Sequence, residues 1–438
     1  MTDNLWFTPA EAIPFFGILF TVIATLVLSY FRNRNEFWSP LTIIMIIYAY
    51  YCCLGPYHAV TTGDTYDRLQ NMRKFYESSL WGAWISLMAY IAGFWLHGRK
   101  NRIRPVPDFS NEILFIYGRR VFIVGFILFT ISTGGNVARL INPLDAQYVE
   151  AVGGGLANYL GLSLNFVIPG LTLLFLYYIL TNRRLLWFAI PFLVSLGIFV
   201  TLGFRYRLVL LFASMVIVFY YAKGRRPNVI LISLAVFVFI SLMGVINLSR
   251  QYGAGLNVSK LEGKDTEGYY ASGLREALIF QTSGAIIDIV PERHPHAGIQ
   301  PLISTILFPI PSAIYPEKNS AEYLFDALDA IYGKTVSKGA AIMSYAEYYL
   351  AFGWVGIILG CGAIGWFYRK LWNWYLANSR KPFAMALYAV TVTFLYVIIS
   401  RGYLPQVVNL FFFSVFPIYF ALRQARKHYS RHSLDTVA

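Results

Sequence analysis

The stretch TLGFRYRLVLLF, Thr201 to Phe212, sets Arg205 and Arg207 between two apolar runs, while INLSRQYG and VIISRGYLP place Arg250 and Arg401 at the ends of two more. A guanidinium is a rigid fork of donors that meets phosphate oxygens two at a time and stays charged at any working pH. One arginine at the end of an apolar run is accounted for by lifting its head group into water. Four at one depth, each carried by a different helix end, point to a shared anion, a phosphate or diphosphate. Arg205 and Arg207 are two residues apart and would diverge by roughly 200° on a helix, so only one of them faces such a site. Gly203 allows close backbone approach and favours Arg205 as the ligand, leaving Arg207 to snorkel. Lys318 and Lys338 are the further cations of the same candidate anion site.

A base for a hydroxyl group would come from a carboxylate or an imidazole. Glu347 stands one to two turns into an apolar run, where a carboxylate facing lipid is excluded, and pairing with one of the arginines is its alternative role. His294 and His296 in PERHPHAG are the other base candidates. With Glu292 they make a Glu-x-His-x-His pattern, but Pro295 splits the pair and no further ligand stands near, so no metal is expected and no cofactor is called for. Asp64 and Asp67 lie beside Arg68, Arg73 and Lys74 and read as surface pairs, and Asp326 and Asp329 as a solvated helix face.

The elements that must hold these residues are spans. Fifty-seven per cent of the chain is hydrophobic, 13% is charged, and the mean hydropathy is +0.54, more apolar surface than a soluble core of this length can hide. An all-α polytopic integral membrane protein follows, one domain over residues 1–438. Eleven windows are long enough to cross the hydrocarbon: 11–30, 40–57, 80–97, 119–137, 158–181, 185–203, 208–222, 229–248, 342–368, 383–401 and 404–422. The first lacks a basic n-region and a small-residue cleavage site and is expected to be retained. Between the eighth and ninth windows runs a loop, 249–339, with an amphipathic stretch (Leu274 to Val290) and a Pro-broken apolar one (Ile299 to Lys318). Such a loop is expected to be partly helical and to lie in or dip into the membrane interface. Cys52, Cys53 and Cys361 form no disulfide framework.

Basic residues cluster at Arg32/Arg34, Arg99 to Arg104 with Arg119 and Arg120, Arg183/Arg184, Lys223 to Arg226, Arg369 to Lys381, and Arg423 to Arg431. All fall on one side of the eleven-span arrangement, which the positive-inside rule assigns to the cytoplasm. The N-terminus and the 249–339 loop are then outside and the C-terminus inside. The +14 net charge divides into +17 inside and −3 outside, a pattern of orientation and contact with anionic lipid. No aromatic-interleaved basic domain exists to bind nucleic acid.

The order of features resembles the Wzy-type O-antigen polymerase family of oligosaccharide repeat unit polymerases. The matching pieces are Gly203-Phe204-Arg205 at a mid-chain outer turn, a large late outer loop with Pro316-Glu317-Lys318, AEYYLAFGWVGIILG (Ala346 to Gly360) opening the next span, and SRGY (Ser400 to Tyr403) near the end. By motif the resemblance covers residues 200 to 405. It implies a metal-independent glycosyltransferase with a GT-C-like multispanning architecture in a bacterial inner membrane. Donor and acceptor would be undecaprenyl-diphosphate-linked oligosaccharides, with membrane lipids and a chain-length regulator as partners. Two other readings stand beside it: an O-antigen ligase, which has the same architecture, and, from a different class, a flippase or transporter for lipid-linked oligosaccharides. A transporter should show pseudo-repeats and paired broken helices, and no repeat is visible. Gly356 and Gly360 form a Gly-x-x-x-Gly that would admit a neighbouring helix, and the loop tyrosines Tyr252, Tyr269, Tyr270, Tyr315, Tyr323 and Tyr332 offer stacking surfaces for sugars.

Overall fold

The structure is a computed structural model that describes residues 6–32, 36–67, 70–96, 105–134, 160–202, 205–251, 255–256, 261, 266–310, 314–315, 322–333 and 340–435. It is helical apart from two ladders of two residues per strand, Tyr66–Asp67 with Gln70–Asn71 and Arg250–Gln251 with Gly255–Leu256. The helices are α1 (Pro9–Arg32), α2 (Pro40–Thr62), α3 (Tyr76–Trp95), α4 (Asn111–Ser132), α5 (Leu160–Thr181), α6 (Leu186–Thr201), α7 (Arg205–Lys223) and α8 (Val229–Ser249). In the 249–339 segment lie α9 (Thr266–Leu274), α10 (Ile279–Ile289), α11 (Gln300–Leu307) and α12 (Glu322–Tyr332). The chain continues through α13 (Ser344–Ala377), α14 (Pro382–Ser400) and α15 (Leu404–Asp435).

Each of the eleven apolar windows holds a helix among its described residues. Nine of the described helices are long and apolar enough to cross a membrane, two fewer than the sequence suggests. The two that drop out are α3, whose 20 residues include Glu77, three serines and two glycines, and α6, which has only 16 residues. The fourth window also moves. Ile113 to Tyr117 extend the helical pattern backwards, so α4 begins at Asn111 and Arg119 and Arg120 stand inside it, over the rings of Phe115 and Tyr117, and not in a loop. Local chemistry marks the boundaries. Extended Ser39 caps α2 by accepting the Thr42 N–H, with Pro40 in the first turn where its missing N–H costs nothing.

The long segment is not a surface loop. Helix α10 packs against α3, α12 and α13, and its residues Phe280 to Ile287 are buried. Helix α9 lies along α8 at glycine distance: a Cβ on Gly244 would fall 1.7 Å from the Tyr269 carbonyl oxygen. Helix α13 is broken at Phe352–Gly353, where Gly353 has φ 62° and ψ −149°, a conformation essentially restricted to glycine. Among the described residues, the atoms nearest a Cβ on Gly356 or Gly360 belong to α13 itself and not to another helix. The break turns Tyr348 of the same helix onto both of them, while α3 meets α13 at Gly93, Gly362 and Gly365.

Candidate functional site

At the end of the bundle where α9 to α12 lie, two of the four arginines converge. Arg205 is the first residue of α7, Arg401 follows the last turn of α14, and between them stands Glu276, in the tight turn Arg275–Leu278 that joins α9 to α10. Arg205 Nη1 is 2.7 Å from Glu276 Oε2, and Arg401 Nη2 is 3.7 Å from Glu276 Oε1. Arg205 Nη2 also donates to Asn247 Oδ1 of α8 at 3.3 Å, and the Asn247 amide donates in turn to the carbonyl and hydroxyl of Ser272.

The two guanidiniums are not equivalent. Glu276 retains 8% of its side-chain exposure and Arg205 14%, so this is a largely dehydrated pair, whereas Arg401 keeps 35% and its contact is long. Arg205 is locked, and Arg401 has donors to spare. Two guanidiniums against one carboxylate leave the cluster one unit positive. Around it stand three tyrosines. A π-helical turn in α2, Ala49–Leu54, presents Tyr50, whose hydroxyl donates to the Gly273 carbonyl at 2.6 Å, and Tyr51, whose hydroxyl donates to Tyr396 of α14 at 3.0 Å. The neighbouring Arg275 turns the other way and binds Asp64 through Nε and Nη2 at 2.9 and 3.0 Å, bonds that raise its pKa. Asp67 accepts from the Tyr332 hydroxyl at 2.8 Å, so both aspartates tie the α2–α3 connection to the long segment.

Glu347 forms a second centre, in the short first part of α13. It is buried, and among the described residues it pairs with no arginine. Its carboxylate accepts the Leu404 N–H, 2.8 and 2.9 Å from its two oxygens, and the Tyr323 hydroxyl at 2.5 Å. Leu404 begins α15, so Glu347 caps that helix where its N–H groups lack partners and the dipole favours a negative charge. Burial raises the Tyr323 pKa and keeps its phenol a donor. Gly402 donates to the Ile342 carbonyl at 2.7 Å, and a Cβ there would meet Ile342 and the Met343 carbonyl at 2.6 Å. The start of α13 thus fixes the turn that carries Arg401.

The remaining candidates separate. Arg207 does not snorkel: it is buried, its Nε donates to Asn165 Oδ1 at 2.9 Å, and its guanidinium lies 5.4 Å from the Tyr206 ring and 6.0 Å from Phe199. Because α7 is helical from Arg205 onwards, Arg207 turns away from Glu276 and into the contact with the preceding helices. Arg207→Ala is therefore expected to cost about 2–4 kcal/mol of stability through the cavity and the weakened Asn165 contact. Thermal unfolding in detergent measures it, and an unchanged midpoint would restore the snorkelling role. His294 places Nδ1 2.8 Å from the Pro295 carbonyl oxygen, and His296 packs on Tyr349 beside the α13 break; neither bonds to the arginine cluster. Arg250 pairs through its backbone with Leu256, and its side chain lies outside the described residues, as do Gly203, Phe204, Lys318 and Lys338. Among the described residues no three His, Cys, Asp or Glu side chains gather in a way that could hold a metal ion.

Glu276, Asn247 and the three tyrosines are absent from the sequence reading. The available signal was Glu276 on the apolar face of its segment, four residues before Phe280 and eleven before Ile287. Comparison with protein-family models, with curated proteins and with solved structures finds no match to this chain.

Proposed function

We propose that the chain is a membrane glycosyltransferase, an O-antigen or exopolysaccharide polymerase that moves a growing glycan from undecaprenyl diphosphate onto a lipid-diphosphate-linked repeat unit. The observation that carries the reading is the net-positive cluster of Arg205, Glu276 and Arg401, in which one arginine is largely dehydrated and fixed while the other stays a third exposed on a long contact. Breaking a glycosyl–diphosphate bond loads negative charge onto the leaving phosphate. A cation already fixed in a poorly hydrated site stabilises that charge without reorganising. In this account Arg401 grips the diphosphate, while Arg205 holds Glu276 and sets the local charge. Glu347 holds the Arg401 turn; with both oxygens engaged it suits a positioning role better than that of a free base. The π-helical turn that presents Tyr50 and Tyr51 fits the reading, since such turns recur at functional sites.

Pure protein incubated with a defined lipid-diphosphate repeat unit is expected to yield a ladder of products. A single transfer onto lipid A core would make it the ligase, and movement across the bilayer without any product the flippase.

The site is assigned to the outer face of a bacterial inner membrane, with the N-terminus periplasmic and the C-terminus cytoplasmic. Single cysteines read by an impermeant thiol reagent in intact cells test this orientation. A cysteine replacing Lys264 is expected to label and one replacing Asn228 to stay dark; the reverse pattern inverts the topology and every role built on it.

A further inference from the structure

The last turn of α14 carries hydrogen-bond donors without acceptors. Earlier in the same helix, the buried hydroxyls of Thr391 and Thr393 donate to the carbonyls four residues back, Leu387 and Ala389, at 2.7 and 3.0 Å. Ser400 does not follow them. It is 1% exposed, and its hydroxyl has no hydrogen-bond partner among the described residues. A buried hydroxyl left unpaired is destabilising, and folds seldom keep one without a use. Tyr396 lies one helical turn before Ser400 on the same face of the helix. It is partly exposed, and its oxygen accepts from the Tyr51 hydroxyl at 3.0 Å. The hydrogen that Tyr396 itself carries meets no acceptor among the described residues. Its hydroxyl stands within range of the charges of Glu276, Arg401 and Arg205. Arg401 follows Ser400 directly, and its contact with Glu276 is long, at 3.7 Å. The other oxygen of that carboxylate is already engaged by Arg205 at 2.7 Å.

Two neutral donors and a guanidinium, gathered on one helix end with a single distant carboxylate oxygen to share, match an anion rich in acceptor oxygens. We propose that Tyr396 and Ser400 are two further ligands of the diphosphate, donating through their hydroxyls to the phosphate oxygens that Arg401 faces. This rests on the lipid-diphosphate reading above and adds to it the residues that hold the head group. Tyr51, which fixes the Tyr396 oxygen from behind, is a positioning residue. Neither ligand hydroxyl gives up its proton. As the glycosyl–oxygen bond breaks, its electron pair stays on the phosphate oxygen, while the acceptor hydroxyl takes the glycosyl carbon and releases its proton to water. Hydrogen bonds from Tyr396 and Ser400 strengthen as that phosphate gains charge.

Binding of undecaprenyl diphosphate is measured to purified wild type, Tyr396→Phe, Ser400→Ala and Arg401→Ala, alongside the thermal unfolding midpoint of each protein without ligand. Tyr396→Phe and Ser400→Ala are each expected to lose about tenfold in affinity, the size of one hydrogen bond to a charged group. The ligand-free midpoint of Ser400→Ala is expected to equal or exceed that of wild type, because the substitution removes a buried hydroxyl that has no partner. That pairing of weaker binding with undiminished stability is the mark of a ligand contact, and a packing role would not produce it. Wild-type affinity in either hydroxyl variant, with Arg401→Ala weakened, would overturn the added ligands and leave the Arg401 site standing. A lowered midpoint in Ser400→Ala would also overturn them, since the hydroxyl would then be part of the packing. Wild type that fails to bind undecaprenyl diphosphate would overturn the lipid-diphosphate reading, and the two ligands with it.

Discussion

Arg401→Ala is expected to lower the rate of chain extension by about 10²–10³-fold, the size of effect seen when one fixed donor to a developing negative charge is removed. The protein should remain folded, because Arg401 is a third exposed, its contact with Glu276 is long, and the tight Arg205–Glu276 pair survives without it. Arg401→Lys should recover little of the loss, since an ammonium is a point charge and cannot reproduce the planar fork. Product ladders and thermal unfolding midpoints, taken on the same purified variants, separate the two effects. A normal rate in Arg401→Ala would remove the residue from the site, and a collapsed midpoint would make it structural.

Arg205→Ala is expected to fail for a different reason. It leaves the Glu276 carboxylate largely buried with only the distant Arg401 to face, and breaking a buried pair from one side costs about 3–5 kcal/mol. Glu276→Ala strands Arg205 in the same way and sets two guanidiniums against each other. Replacing both at once, Arg205→Met with Glu276→Leu, should recover most of that stability, because an apolar pair of similar volume carries no desolvation cost. The double variant should nevertheless stay inactive, since the field that holds Arg401 in place has gone. A stable and active double variant would reduce the pair to scaffolding. Single variants as stable as wild type would show that the pair is hydrated in the membrane.

The legibility of this chain follows from what each signal depends on. Helices show in the sequence because runs of about 20 apolar residues report the solvent directly, and each of the eleven windows holds a helix among its described residues, though α3 and α6 are not both long and apolar enough to count among the nine candidate spans. The convergence of Arg205 and Arg401 could be anticipated because both mark helix ends at one depth. Glu276 could not. It belongs to a turn between two helices of the long segment, and which helix ends that turn approaches is a property of packing. Arg207 was misread for a related reason: spacing tells that it diverges from Arg205, and only the fold tells that the other side is occupied by Asn165 and Phe199. The break in α13 rests on Gly353, one of several glycines in an apolar stretch, and its position becomes meaningful only in the fold, where the Ala297 and Gly298 N–H groups donate to the Leu350 and Ala351 carbonyls just before it.

The central claim is that the growing chain leaves its own lipid diphosphate for a new lipid-linked unit, and a pulse–chase on reconstituted protein tests it most directly. A brief pulse of labelled lipid-diphosphate repeat unit is followed by an excess of unlabelled unit, and the products are released from lipid and degraded from one end. If the growing glycan is the donor, the label is expected at the non-reducing end of long chains, with every later unit inserted next to the lipid. Label that stays at the lipid-linked end while chains lengthen, or the absence of any ladder from protein that binds the lipid diphosphate, would contradict the account.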